Sequence, residues 1–170
     1  LRYELIIVDN GTTESATRQY LEDMSHAHQV LHCPGPFNFS ALNNHAIGRA
    51  SGEYILFLNN DVEAMQQGWL EAMLTHAQRP GGGAVGAKLL YPDGSVQHAG
   101  VVLGVAGVAG HAFRHTPAKG SSYHGFVDLV RNCSAVTAAC MLVPKKVFQE
   151  VGGFDERLAV EYNDVDLCLR

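Results

Sequence analysis

The sequence predicts an α/β domain: a mostly parallel sheet flanked by helices, Rossmann-like in its first half and with a β-hairpin in its second. Three observations predict this. Short apolar runs alternate with helical patterns up to about residue 78, the runs are continuous, as suits strands buried on both faces, and a Pro-Asp-Gly turn later separates two short runs. With 170 residues, 46% hydrophobic and 17% charged, the chain can bury one core, and residues 1–170 are expected to form a single domain.

The elements follow in order. Tyr3 to Val8 reads as a strand, a polar-start helix runs to about Met24, Gln29 to Leu31 forms a second strand, and Ser40 to about Ala50 a second helix. Tyr54 to Leu58 is a third strand. Trp69, Leu70, Met73, Leu74 and Ala77 recur at helical spacing and mark the core face of a helix from Trp69 to Gln78. Lys88 to Tyr91, then Pro92-Asp93-Gly94, then Ser95 to Gln97 make a hairpin, because proline pre-sets the turn. The glycine-rich stretch from Gly100 to Gly110 has neither GxGxxG after a strand nor a lysine in P-loop position, so a flexible loop or bulged strand is expected there. His111 to Tyr123 reads as a mobile loop. Ala138 to Val143 is another buried strand, and Pro144 begins a short helix that ends at Gly152-Gly153. The first residues run straight into a strand and Arg170 lies inside an apolar-periodic stretch, so the domain is expected to be incomplete at both ends.

Charge and cysteine content exclude several functions. Twelve Lys+Arg against 17 Asp+Glu give a formal net charge of -5, which argues against a nucleic-acid partner. An anionic ligand must then be held locally, by a metal ion or by backbone N–H groups. The four cysteines form no CxxC pair, so neither a zinc knuckle nor a dense disulfide framework is expected. With no signal peptide or spanning segment, a cytoplasmic setting fits, and the three Asn-x-Ser/Thr sequons are read as chance. His111 and His115 stand at helical spacing, but Pro117 follows and glycines precede them. They read as surface or loop histidines rather than metal ligands.

In open α/β sheets, ligands bind beyond the carboxyl ends of the strands. Three polar clusters fall at such places: Asp9-Asn10-Gly11, Asn59-Asn60-Asp61, and Glu161 to Asp166 at the start of the last helix. Each also has a purely structural reading, as a turn, a cap for the next helix, or an N-cap at Asn163 or Asp164. Their common placement favours a site.

The order of motifs VDNGTTES, NFSALNNHAIGRASGEYILFLNND, TAACMLV, VGGFDE and YNDVDLCLR resembles the inverting glycosyltransferases of family 2, which have the GT-A fold. The likeness covers essentially the whole chain. QHAG, GHAFRH and YNDVDLCLR are similar to bacterial transferases of surface-polysaccharide assembly, often rhamnosyltransferases. The resemblance implies a nucleotide-sugar donor, a UDP-sugar or dTDP-sugar, and a glycan or lipid-linked glycan acceptor. It places Asp9 against the nucleotide base, with Asn44 and Asn60 also at the nucleotide, although Ala46 replaces the usual glycine after Asn44. It places Asp61 and Asn59 at the family's Asp-x-Asp metal motif, for Mg²⁺ or Mn²⁺, with Asn59 standing where an aspartate is usual. It makes Asp164 the catalytic base and Asp166 a reserve base or acceptor-side carboxylate, with Asn163 where the family has an acid. It also implies that a first strand and a C-terminal part lie outside this chain, the latter reaching the acceptor or the inner face of the membrane. Two rival readings are a nucleotidyltransferase of similar fold and a catalytically degenerate nucleotide-sugar binding module. YNDVDLCLR weighs against the first; Asn59 and Asn163 motivate the second.

Overall fold

A computed structural model describes residues 1–118 and 122–170. Its first half is built as the apolar pattern dictates. Strand β1 (Ile6–Asp9), helix α1 (Ser15–Ser25) and strand β2 (Gln29–His32) form a β-α-β unit, with β1 and β2 parallel and Asp9 opposite His32. Helix α2 (Phe39–Ile47), strand β3 (Tyr54–Leu58) and helix α3 (Trp69–Ala77) follow. Asn38 starts α2 by accepting the Ala41 N–H at 3.0 Å, which satisfies one of the free amides of the first turn.

The second half departs from a parallel sheet. Short strands β4 (Val85–Gly86), β5 (Leu89–Leu90), β6 (Val96–His98), β7 (Val101–Leu103) and β8 (Ala109–His111) are followed by β9 (Cys140–Pro144) and helices α4 (Lys145–Glu150) and α5 (Asn163–Leu169). β9 lies between β3 and β4 and is antiparallel to both. Cys140, Met141, Leu142 and Val143 are all buried, as a central strand with covered faces requires. Among the described residues the parallel arrangement therefore holds for β1 and β2, while every other ladder is antiparallel.

The hairpin forms as β5 and β6, with a bulge at Leu89/Leu90. The glycine-rich stretch is more ordered than its composition implies: β7 and β8 pair antiparallel across it, Val101 opposite His111. Glycine supplies the positive φ values of that turn, and valine and alanine supply the strands. His111 is thus a strand residue rather than part of a mobile loop; of the 111–123 segment, residues 119–121 lie outside those described.

The two halves are held together by an aromatic cluster. Phe57 of β3 meets Phe154 at 5.0 Å and Phe148 of α4 at 5.5 Å between ring centroids, and Phe39 of α2 meets Phe154 edge-on at 5.7 Å. Gly153, beside them, has φ of +72°, and a Cβ there would sit 2.9 Å from Asn44 Oδ1 and 3.1 Å from the Phe148 ring. Only glycine fits. Among the described residues no helix is long and apolar enough to cross a membrane.

Candidate functional site

The site is organised by three consecutive residues just before β9. The Thr137 N–H donates to His98 Nε2 at 3.3 Å, the Ala138 N–H donates to Asp164 Oδ2 at 3.1 Å, and the Ala139 carbonyl accepts the Asn59 N–H at 3.0 Å. Because β3 and β9 are antiparallel, the carboxyl end of β3 meets the start of β9, and the Asn59-Asn60-Asp61 turn is brought next to the residue that holds Asp164.

Asp164 lies in the first turn of α5, its Oδ1 accepting the Val165 N–H at 2.8 Å. Both carboxylate oxygens are thereby oriented by backbone amides, yet each keeps a further lone pair for a ligand. Asp166 faces elsewhere: its Oδ2 accepts from Arg170 Nε and Nη2 at 2.9 and 2.8 Å, and Arg170 in turn donates to the carbonyls of Val151 and Gly153. That is a clasp between α5 and the end of α4. Asn163 is buried and donates to the carbonyls of Leu158 and Val160 at 3.4 and 3.2 Å. A carboxylate in its place would face two carbonyl oxygens with nothing to donate, so the amide is what this loop requires.

The NFSALNN segment builds the approach to Asp164. The Phe39 N–H donates to the Ala159 carbonyl at 2.7 Å, the Asn38 side chain donates to the Glu156 carbonyl at 2.8 Å, and the fully buried Ser40 hydroxyl donates to Leu158 at 2.6 Å. Asn44 completes the set: its Oδ1 accepts the Phe154 N–H at 3.0 Å and its Nδ2 donates to the Phe154 carbonyl at 2.9 Å and to Glu156 Oε1 at 3.1 Å. Asn44 therefore lies against the GGFDE turn, and its bonds run to the chain itself.

Asp9 ends β1, where the sequence places it. Its carboxylate accepts the N–H groups of Gly11 and Thr12 at 3.2 and 2.8 Å and meets His32 Nδ1 at 3.0 Å. The Thr12 hydroxyl and N–H, and then His32, hold the Asp9 carboxyl down at about 2, so it is an anion at neutral pH.

Asn60 and Asp61 form an exposed turn and Asn59 is half-buried. An Asp61 carboxylate and amide oxygens are the hard donors that Mg²⁺ or Mn²⁺ accepts. Among the described residues no group of three or more His, Cys, Asp and Glu is placed to hold a metal ion. The chain's own donors fit such a cation as a partial shell, completed by ligand phosphate oxygens and water.

Two residues escape a reading based on strand ends, His98 and His111. Their Nδ1 atoms are 2.8 Å apart, and His98 is 1% exposed. The only signal for them is their place in QHAG and GHAFRH. Burial first, then His111 and Arg131, hold the His98 imidazole down at about 3 from its ordinary 6.5. An unfolded chain protonates that ring as pH drops through 6.5, while the folded one stays neutral until about 3. The folded state thus loses stability as pH falls across that window, at up to about 1.4 kcal/mol per pH unit for one proton. Urea titrations between pH 6 and 4 should show this share of the slope disappear in His98→Gln; equal slopes in both proteins would refute it.

The family model for glycosyl transferase family 2 matches residues 1–152. The sequence is 46% identical over 170 residues to an O-antigen biosynthesis protein of Myxococcus xanthus, covering 99% of this chain and 13% of that protein. It is 25% identical over 182 residues to an N-acetylglucosaminyl-diphospho-decaprenol L-rhamnosyltransferase of Mycobacterium tuberculosis, covering 96% of this chain and 59% of that one. Among solved structures, the mannosyltransferase of Pyrobaculum calidifontis in complex with GDP-Man and Mn2+ superposes with a TM-score of 0.64 at 17% identity, over 96% of this chain and 41% of that one. The chain spans less than two thirds of each of these proteins.

Proposed function

The chain belongs to glycosyl transferase family 2 and has the GT-A fold, and from that premise we propose that it transfers a sugar, with inversion, from a nucleoside diphosphate donor to a hydroxyl of a growing surface glycan. The observation that carries this reading is the meeting of Asp164 and the Asn59–Asp61 turn at Ala138 and Ala139. An in-line displacement needs a base on the acceptor side of the anomeric carbon and a diphosphate-binding turn on the opposite side, and the shared Ala138–Ala139 anchor supports the two flanking one sugar.

In this reading Asp9 and Asn60 hold the nucleotide, Asp61 and Asn59 hold Mg²⁺ or Mn²⁺, and Asn44 acts indirectly by fixing the turn that leads to α5. The acceptor oxygen attacks the anomeric carbon, the bond from that carbon to the diphosphate oxygen breaks, and Asp164 takes the acceptor's proton. A cation held by Asp61 and Asn59 would supply positive charge to offset what develops on the departing diphosphate. Asp166 serves α5 through its Arg170 clasp. The donor is a UDP-sugar or a dTDP-sugar, with a deoxyhexose such as rhamnose favoured by the Mycobacterium relative. That relative's name also supports a lipid-linked acceptor, and in this reading the reaction takes place in the cytoplasm, at the inner membrane face. In this reading the catalytic domain extends beyond this chain, which the greater length of its relatives supports.

Nucleotide binding should depend on the cation, since the net charge is -5 and one carboxylate cannot neutralise a diphosphate. Calorimetry with UDP and dTDP should show much tighter binding with Mn²⁺ than with EDTA, and Asp61→Ala should remove the difference. Equal affinity under both conditions would overturn the metal-assisted reading.

A further inference from the structure

The paired histidines have no part in the scheme above, and their hydrogen bonds determine where their protons sit. A nitrogen-to-nitrogen bond of 2.8 Å needs one N–H and one lone pair. His98 Nε2 faces two donors, the N–H of Gly100 at 3.2 Å and of Thr137 at 3.3 Å, so that nitrogen carries the lone pair. The His98 proton is then on Nδ1 and is donated to His111 Nδ1. His111 Nδ1 accepts, which leaves the His111 proton on Nε2, the nitrogen turned away from the buried ring.

This arrangement is built in. Gly100 has φ of +93°, and a Cβ there would collide with Cys133 Sγ, so the backbone that offers its N–H to His98 has room only for glycine. His98 is clamped on three sides while His111, at the end of β8, is exposed. The same peptide segment holds His98 through Thr137 and Asp164 through Ala138, so the imidazole pair and the carboxylate share one anchor. The Asp164 charge is felt at His111, where it opposes the downward pull of burial and of Arg114. An open depression of about 400 Å³ reaches Ala112, the next residue after His111, and is lined as well by Gly100, Val101, Arg131, Asn132 and Cys133.

We infer that His111 is an acceptor-binding residue, presenting a fixed Nε2–H to a hydroxyl oxygen of the acceptor sugar beside Asp164, and that His98 is the positioning residue that locks it in that tautomer. The inference rests on the transferase reading. Its chemistry is complementary to the base: Asp164 accepts a proton from one acceptor hydroxyl, while His111 donates to the oxygen of that hydroxyl or of its neighbour. The opposite tautomer would turn a lone pair toward the acceptor, and a hydroxyl whose proton is directed to Asp164 has none left to donate to it. With His98 donating to Nδ1, that tautomer is closed to His111.

The test uses the full-length protein. Nitrogen-15 NMR of the histidine rings should place the His111 proton on Nε2 in the wild type and show a mixture of tautomers in His98→Phe. In transfer assays, His111→Ala should lower kcat/KM for the acceptor about tenfold, the worth of one hydrogen bond to a ligand, with donor KM within twofold of wild type. His111→Gln, which keeps an N–H donor, should recover part of the loss. A His111 proton found on Nδ1, or acceptor kcat/KM within twofold of wild type in His111→Ala, overturns the inference while leaving the transferase reading in place. A wild-type protein that transfers no sugar from any nucleotide donor overturns both.

Discussion

Replacing Asp164 by Asn is expected to lower turnover by roughly 10² to 10⁴, the usual worth of a positioned base, with nucleotide affinity near wild type. An acceptor hydroxyl is a poor nucleophile until a carboxylate takes its proton in the transition state. The amide keeps the shape of the side chain, and its oxygen can still accept from Ala138 or Val165, so the fold should survive. Asp166→Asn should cost less activity, because it mainly loosens the tie to Arg170 between α5 and α4. Steady-state kinetics on both variants decide the matter. Near-normal turnover in Asp164→Asn, or a larger loss in Asp166→Asn, would move the base to the other carboxylate.

The largest stability effect is expected at Phe154. Its ring is 2% exposed and touches Phe39, Phe57 and Phe148, so it joins α2, β3 and α4 to the turn before α5. Phe154→Ala removes that ring and leaves a cavity among aromatic faces that cannot easily collapse, at a cost of about 3–5 kcal/mol. Phe37, 57% exposed, is the control, and Phe37→Ala should stay within about 0.5 kcal/mol. Urea midpoints of the two variants measure the contrast; a Phe154→Ala loss under about 1 kcal/mol would show that the cluster does not hold the halves together.

How much of this was legible depended on whether the signal was local. The first β-α-β unit, α3 and the hairpin after Leu90 follow from periodicity and turn residues within windows of ten or so positions, and they appear where those signals place them. The direction of β9 does not follow, because an apolar run reads the same in a parallel or an antiparallel ladder, and its partners are set by residues far away in sequence. Asp9, Asp61 and Asp164 stand out because carboxylates at strand ends and helix starts are a sequence pattern. The job of Asn44 and Ser40 as clamps on residues 154–158 depends on tertiary contacts more than 100 residues apart, which no local pattern encodes. His98 was hidden for a related reason: a histidine in a short strand looks like any other until the donors around its ring are known.

The place of β9 in the middle of its sheet also sets a folding order. Among the described residues β3 and β4 pair in ladders with β9 alone, and Tyr54 pairs with Pro144 about 90 residues later. Contacts so distant in sequence are slow to close, since the loop entropy is spent before the pairing rewards it. During synthesis, the edge of β3 that pairs with β9 leaves the ribosome open and stays so until residues 140–144 emerge. For that interval the chain is at its most prone to aggregate and to need a chaperone. The same pairing brings Ala139 to Asn59 and sets Ala138 where Asp164 docks once α5 has formed, so assembly of the site depends on a long-range step of folding.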